Sequence, residues 1–97
     1  MAVGDTVTAV TSTASGSYLA MQPASGVEWI IHNVNVPTGT AAELYKYDGT
    51  NEIKIDTNSS GGWSGFFFHC TNSVYYRVKN TSVSTAYLGY DGIVSKE

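Results

Sequence analysis

Short runs of apolar and β-branched residues alternate with turn sequences along the whole chain. The densest apolar run covers residues 27–36 (Val-Glu-Trp-Ile-Ile-His-Asn-Val-Asn-Val), between a Ser-Gly pair and a Pro-Thr-Gly turn. Because side chains on a strand point alternately to opposite faces, this run places large apolar groups on both faces. The pattern therefore predicts a strand in the interior of a sheet, covered on much of both sides.

Seven further segments have the composition of strands. They are 6–13, 17–22, 41–47, 52–56, 63–70, 74–80 and 84–94, the last of them interrupted by Asp91-Gly92. Segment 52–56 alternates strictly, which predicts that its isoleucines face inward and its charged residues outward. Asp48-Gly49, just before it, is a hairpin signal. No stretch has the periodicity of a helix.

About eight short strands at roughly ten-residue spacing predict an all-β fold, an antiparallel β-sandwich of the jelly-roll type with no helix. Residues 1–16 are predicted to form an extended N-terminal arm or an edge strand, and residues 17–97 a single sandwich domain. The predicted core between the sheets comprises Trp29, Ile31, Val34, Ile53, Ile55, Phe67, Val78 and Leu88.

The composition narrows the classes of partner. Only 13% of the 97 residues are charged, against about 25% in a typical soluble domain. The net charge is -3 and the five basic residues form no dense patch, so we expect no nucleic-acid binding. No apolar run approaches the roughly 18 residues of a membrane span, and no secretory signal precedes the first strand, so synthesis in the cytoplasm is expected.

The candidate metal ligands are few and poorly spaced. His32 and His69 lie far apart in the sequence, and no Cys/His set has the spacing of a zinc site. The acidic residues at steps of four from Asp48 to Asp56 are expected on the wet face of a hairpin rather than around calcium. The single cysteine, Cys70, is predicted to be a small buried side chain. We therefore expect neither a metal nor another cofactor.

Catalytic arrangements are equally hard to find, so the sequence predicts a protein that is not an enzyme. There is no Gly-x-Ser-x-Gly elbow, no convergent pair of acids and no phosphate-binding loop. Binding through aromatic side chains is the remaining alternative. Tyr45, Tyr75, Tyr87 and Tyr90 are predicted to be partly exposed, where they would contact a protein partner or stack on a sugar ring.

Three segments combine core and turn residues in a distinctive way. They are 26–33 (Gly-Val-Glu-Trp-Ile-Ile-His-Asn), 47–51 (Tyr-Asp-Gly-Thr-Asn) and 68–80 (Phe-His-Cys-Thr-Asn-Ser-Val-Tyr-Tyr-Arg-Val-Lys-Asn). As a set they resemble small all-β structural proteins of tailed bacteriophages, over about residues 17–94. The resemblance implies a head decoration or cement protein, which sits on the outer capsid at symmetry axes and clamps neighbouring major capsid subunits.

From the pattern and the resemblance together we expect a non-enzymatic virion protein on the outer capsid surface, made in the cytoplasm of the bacterial host. Its expected partners are the major capsid protein and copies of itself, with a trimer favoured on symmetry grounds. Two alternatives stay open. One is a small glycan-binding module on a phage head or tail, which a cluster of exposed Trp29 or Trp63 would favour. The other is a tail or neck component.

Overall fold

Eight antiparallel β-strands make up the part of the chain that the computed structural model describes, residues 2–97, and no helix occurs there. The strands are β1 (Thr6–Thr13), β2 (Tyr18–Met21), β3 (Glu28–Asn35), β4 (Ala42–Tyr47), β5 (Glu52–Asn58), β6 (Phe68–Cys70), β7 (Tyr75–Asn80) and β8 (Ala86–Lys96). They form two four-stranded sheets. The predicted all-β sandwich is confirmed.

The strand pairing is that of one long hairpin folded over on itself. Starting at the β4–β5 turn, β4 pairs with β5, β3 with β6, β2 with β7 and β1 with β8. Further pairing of β3 with β8 and of β4 with β7 produces the sheet orders β1-β8-β3-β6 and β2-β7-β4-β5. This is the topology of the eight-stranded jelly roll. β3 lies inside the first sheet, as predicted for the segment 27–36.

The turn at the tip of this hairpin is the predicted Asp-Gly signal. Gly49 has a φ of 97°, and the Asp48 carboxylate accepts hydrogen bonds from the backbone N–H groups of Thr50 and Asn51 at 3.0 and 2.6 Å. These two bonds hold the pKa of the Asp48 carboxyl below its ordinary value. The β4–β5 turn is therefore stabilised by hydrogen bonds between residues of the turn itself.

The inner faces of the two sheets meet in one core. Four of the predicted core residues, Ile31, Val34, Val78 and Leu88, are fully buried. Trp29 is half-buried and packs against the core, with its ring 6.1 Å from that of Tyr90. The core also contains side chains that were not predicted, including Met21, Leu44, Trp63, Tyr90 and Val94.

Three predicted core residues are on the surface, and that prediction is wrong. Ile53, Ile55 and Phe67 are 63%, 48% and 77% exposed. β5 is an edge strand, and the corresponding edge strand of the other sheet, β6, has only three residues and leaves β5 uncovered. A bulge between β4 and β5 also breaks the alternation, so that Asp56, and not Ile55, lies opposite the buried Leu44.

Two of the predicted strands differ from the observed ones, one in its continuity and one in its length. β8 continues through Asp91-Gly92 without interruption, because Gly92 lies where the backbone of β3 comes closest. A Cβ at Gly92 would be 2.0 Å from the carbonyl oxygen of Ile30. The segment predicted as a strand over 63–70 is a strand only from Phe68. Before that it contributes a single bridge, between Trp63 and Val34.

The N-terminal segment contributes the edge strand of the first sheet. β1 pairs with β8 over eight consecutive residues, from Thr6 opposite Ile93 to Thr13 opposite Ala86. The first residue of the segment 1–16 lies outside the described residues.

Candidate binding surfaces

Four tyrosines lie on the outer face of the second sheet: Tyr18 on β2, Tyr45 and Tyr47 on β4, and Tyr75 on β7. Alternation places them there, since Leu44 on β4 and Val78 on β7, which point to the opposite face, are buried in the core. The Tyr18 and Tyr45 rings are 5.6 Å apart and the Tyr47 and Tyr75 rings 5.4 Å apart, at steep angles. We call these four residues the tyrosine face.

Arg77 occupies the middle of the tyrosine face. Its guanidinium carbon is 4.2 Å from the centre of the Tyr18 ring and 5.2 Å from that of Tyr47, and the guanidinium pairs with Glu52. Such cation–π contacts stabilise the arrangement. They also cover ring surface that a sugar would need for stacking.

Three of the four phenol groups on this face donate hydrogen bonds within the sheet. Tyr18 donates to Glu52 at 3.4 Å, Tyr47 donates to the Gly49 carbonyl at 3.0 Å, and Tyr45 donates to Glu43. The bond from Tyr45 lowers the pKa of Glu43, and Glu43 in turn raises the pKa of Tyr45 to about 12. These hydrogen bonds and the contacts of Arg77 join neighbouring strands and stiffen the second sheet.

The raised pKa of Tyr45 gives a testable pH dependence. We expect its phenol to ionise near pH 12, against 10.0 for an unperturbed tyrosine, because the adjacent Glu43 carboxylate disfavours a phenolate. Since the pKa is higher in the folded state, this contribution to stability is present below pH 10 and is lost as the pH rises through 12. Absorbance titration of the wild type against Tyr45→Phe measures it. An unchanged Tyr45 titration in Glu43→Gln would contradict the assigned cause.

A second surface lies at the edges of the two sheets that are formed by β5 and β6, away from β1 and β2. Its apolar residues, Ile53, Ile55, Phe66 and Phe67, are 47% to 77% exposed. Trp63 joins the segment before β6 to β5, because its indole N–H donates to Asp56 at 2.9 Å. That bond lowers the pKa of the Asp56 carboxyl. We call the four apolar residues the open edge.

The phenylalanines of the open edge are exposed but held in place. The N–H of Phe66 donates to the carbonyl of His32 at 3.0 Å, and His32 Nδ1 lies 3.1 Å from the carbonyl oxygen of Phe66. The Phe66 ring stacks on Phe68 at 5.2 Å, and the Phe67 ring meets His32 edge-on at the same distance. These contacts fix both rings, so that little of their conformational freedom remains to be lost.

No protein-family model matches the chain, and no curated protein matches it significantly. The two surfaces and the fold are therefore the observations that bear on function.

The four tyrosines predicted to be exposed do not form one site. Tyr45 and Tyr75 are half-buried on the tyrosine face, and Tyr87 is well exposed on the outer face of the first sheet. The prediction for Tyr90 is wrong, because Tyr90 pairs with Val34 on the inner face and is buried. The sequence interpretation missed Tyr18, Tyr47 and Phe66; the same-face spacing of Tyr45 and Tyr47 on one strand was the available signal.

The candidate metal ligands stay apart. His69 Nε2 is 2.8 Å from a Glu28 oxygen, while His32 is bound to the loop at Phe66. Within residues 2–97 no group of three or more His, Cys, Asp or Glu side chains is placed to hold a metal ion. Cys70 is buried as predicted, and its burial raises the pKa of the thiol to about 11. Residues 2–97 also include no helix that is able to cross a membrane.

Proposed function

We propose that this protein is a non-enzymatic structural protein of a tailed bacteriophage, which binds the outer capsid surface and strengthens contacts between major capsid subunits. The observation that carries the proposal is the open edge, where Ile53 and Ile55 on β5 and Phe66 and Phe67 before β6 expose large apolar side chains. Large apolar side chains left exposed in this way are a feature of protein interaction sites. The virion location rests on the resemblance over residues 17–94 and, by analogy of fold, on the use of jelly rolls in viral capsids.

The physical basis of this role is burial at the open edge combined with stiffness elsewhere. Each Å² of apolar surface removed from water contributes roughly 25 cal/mol, and the exposed parts of two isoleucines and two phenylalanines supply that surface. The tyrosine face, with Arg77 at its centre, holds the second sheet rigid while the edge is engaged. A rigid body bound across two neighbouring subunits resists their separation without any chemical step.

Head binding by variants tests the docking surface. The double variant Ile53→Asp/Phe67→Asp is expected to bind purified heads about tenfold more weakly or worse, because charges are desolvated where apolar groups should be buried. The matched control is Val83→Asp, since Val83 is 99% exposed in a turn on another part of the surface. It should bind like the wild type in a co-sedimentation assay. Equal binding by both variants would refute the assignment of the open edge.

Loss of the gene tests the role itself. Virions lacking the protein are expected to lose DNA at a lower temperature and to be more sensitive to chelator than the wild type. Unchanged heat and chelator resistance, with the protein absent from purified heads, would refute the proposal. If labelled protein were found on the tail or neck instead, the open edge would still be a docking surface, for a different virion component.

Glycan binding is the second candidate, and the tyrosine face is the observation that favours it. Against it, Trp63 is buried, Trp29 packs against the core, and Arg77 covers the Tyr18 and Tyr47 rings. A glycan array with the wild type and Tyr45→Ala separates the two candidates. Binding that depends on Tyr45 would support the glycan-binding module over the capsid protein.

A further inference from the structure

The free side of β1 is an uncovered strand edge. β1 lies at the end of the first sheet and pairs with β8 on one side only. The N–H of Val94 donates to the carbonyl of Asp5 at 2.9 Å, so the Asp5 carbonyl points toward β8. Antiparallel alternation then directs the backbone groups of Thr8, Val10 and Ser12 away from β8. No hydrogen bond to these outward groups is formed within residues 2–97.

The other three sheet edges carry the protections that β1 lacks. β5 has Glu52, Lys54 and Asp56 along its length and a bulge in its pairing, while β2 and β6 have only four and three residues. Charges, bulges and short strands are the usual means of blocking pairing between molecules. β1 has eight residues with no charge, proline, glycine or bulge. It is the edge best suited to accept another strand.

The strand that fits this edge best is β1 of a second copy. Rotation about an axis normal to the sheet brings two β1 strands together antiparallel, and their outward donors and acceptors then match. Because 6–13 contains no charge, no like charges meet across the axis. Val10 is 70% exposed on the outer face, next to Gly89 of β8 and diagonal to Tyr87, which is 64% exposed. Pairing centred on Val10 would bring the Val10 side chains of the two copies together on that face and cover part of each.

We propose that two copies of this chain pair through β1, with Val10 opposite Val10, so that their four-stranded sheets become one continuous sheet. The contact is isologous and closes as a dimer. A trimer would require β1 to meet a different edge, so this inference replaces the trimer expected from symmetry alone. A single strand pair is a small interface, and we expect a dissociation constant in the range of about 1–100 µM. The inference is independent of the proposed function, because the open edge lies on the opposite side of the sheets.

Sedimentation of the full-length chain over a concentration series tests the dimer. The wild type should shift from monomer to dimer, and Val10→Lys should weaken the dimer about fivefold or more, because two lysines would then face each other across the axis. Thr50→Lys adds the same charge at an exposed residue in the β4–β5 turn of the other sheet and should leave the association unchanged. A monomer throughout the series, a trimer, or a dimer insensitive to Val10→Lys would overturn the inference.

Disulfide crosslinking tests the register even if Val10→Lys folds poorly. Val10→Cys should form a disulfide-linked dimer on mild oxidation, because the two positions would face each other directly. Thr6→Cys should not, since it would lie several residues from its counterpart. Cys70 is buried and does not compete. Equal crosslinking at both positions, or none at Val10→Cys, would overturn the proposed pairing.

Discussion

Replacing Gly62 by alanine is expected to destabilise the protein by about 3 kcal/mol or more, whereas the same change at Gly61 should cost about 1 kcal/mol. Both glycines have positive φ, of 88° and 86°, so alanine is strained at either position. At Gly62 an added Cβ would also be 2.0 Å from the carbonyl oxygen of Val34, while at Gly61 it would meet nothing within 4 Å. The difference between the variants isolates the steric contact.

The contact matters because Gly62 adjoins the bridge that anchors the segment before β6. Trp63 and Val34 exchange two backbone hydrogen bonds of 2.8 Å, and the Asn58 side chain bonds both the N–H and the C=O of Gly62 at 3.0 Å. Any shift that relieves the clash displaces Trp63 from the core. In thermal unfolding we expect Tm to fall by roughly 15 °C for Gly62→Ala and roughly 5 °C for Gly61→Ala. Equal losses would contradict the close approach at Gly62.

Truncation of Leu44 and of Ile53 should have very different effects. Leu44→Ala is expected to cost about 3 kcal/mol, because Leu44 is fully buried and its removal leaves a cavity. Ile53→Ala should cost less than about 0.5 kcal/mol, because Ile53 on the neighbouring strand is 63% exposed. Urea denaturation of the two variants measures both values. Similar losses would mean that β5 is covered and that the predicted core, rather than the observed one, is correct.

Local features of the sequence were sufficient to predict the strands and the fold class. β-branched runs, turn residues and the Asp48-Gly49 signal report the backbone directly, and most strand ends lie within two residues of the prediction. The sheet order follows from folding one hairpin about that turn. Alternation separates the two faces of β5, but it does not show whether another strand packs over either face. Ile53 and Ile55 are exposed because β6 is short.

Long-range contacts account for the other differences. Asp91-Gly92 has the composition of a turn, and only the approach of β3 explains a glycine within β8. Asn80 is polar yet fully buried, because its side chain donates to the carbonyls of Thr13 and Ser84 at 2.8 and 3.0 Å. Nothing near Asn80 in the sequence indicates the first of these partners, 67 residues away.

The open edge was predicted even less well than the fold, although the sequence contained a signal for it. Phe66, Phe67 and Phe68 are consecutive, and three neighbouring side chains on an extended segment cannot all point into the core. In the structure Phe68 is buried and the other two are exposed. Which of them face outward depends on the bonds between His32 and Phe66, and no local pattern specifies that pairing.

Hydrogen–deuterium exchange of the protein, free and bound to purified phage heads, tests the central claim most directly. Binding through the open edge predicts slower exchange in 52–58 and 64–67, with β2 and β7 of the tyrosine face unchanged. Slower exchange over β2 and β7, with none in 52–58 and 64–67, would contradict the claim that this exposed apolar edge is the docking surface.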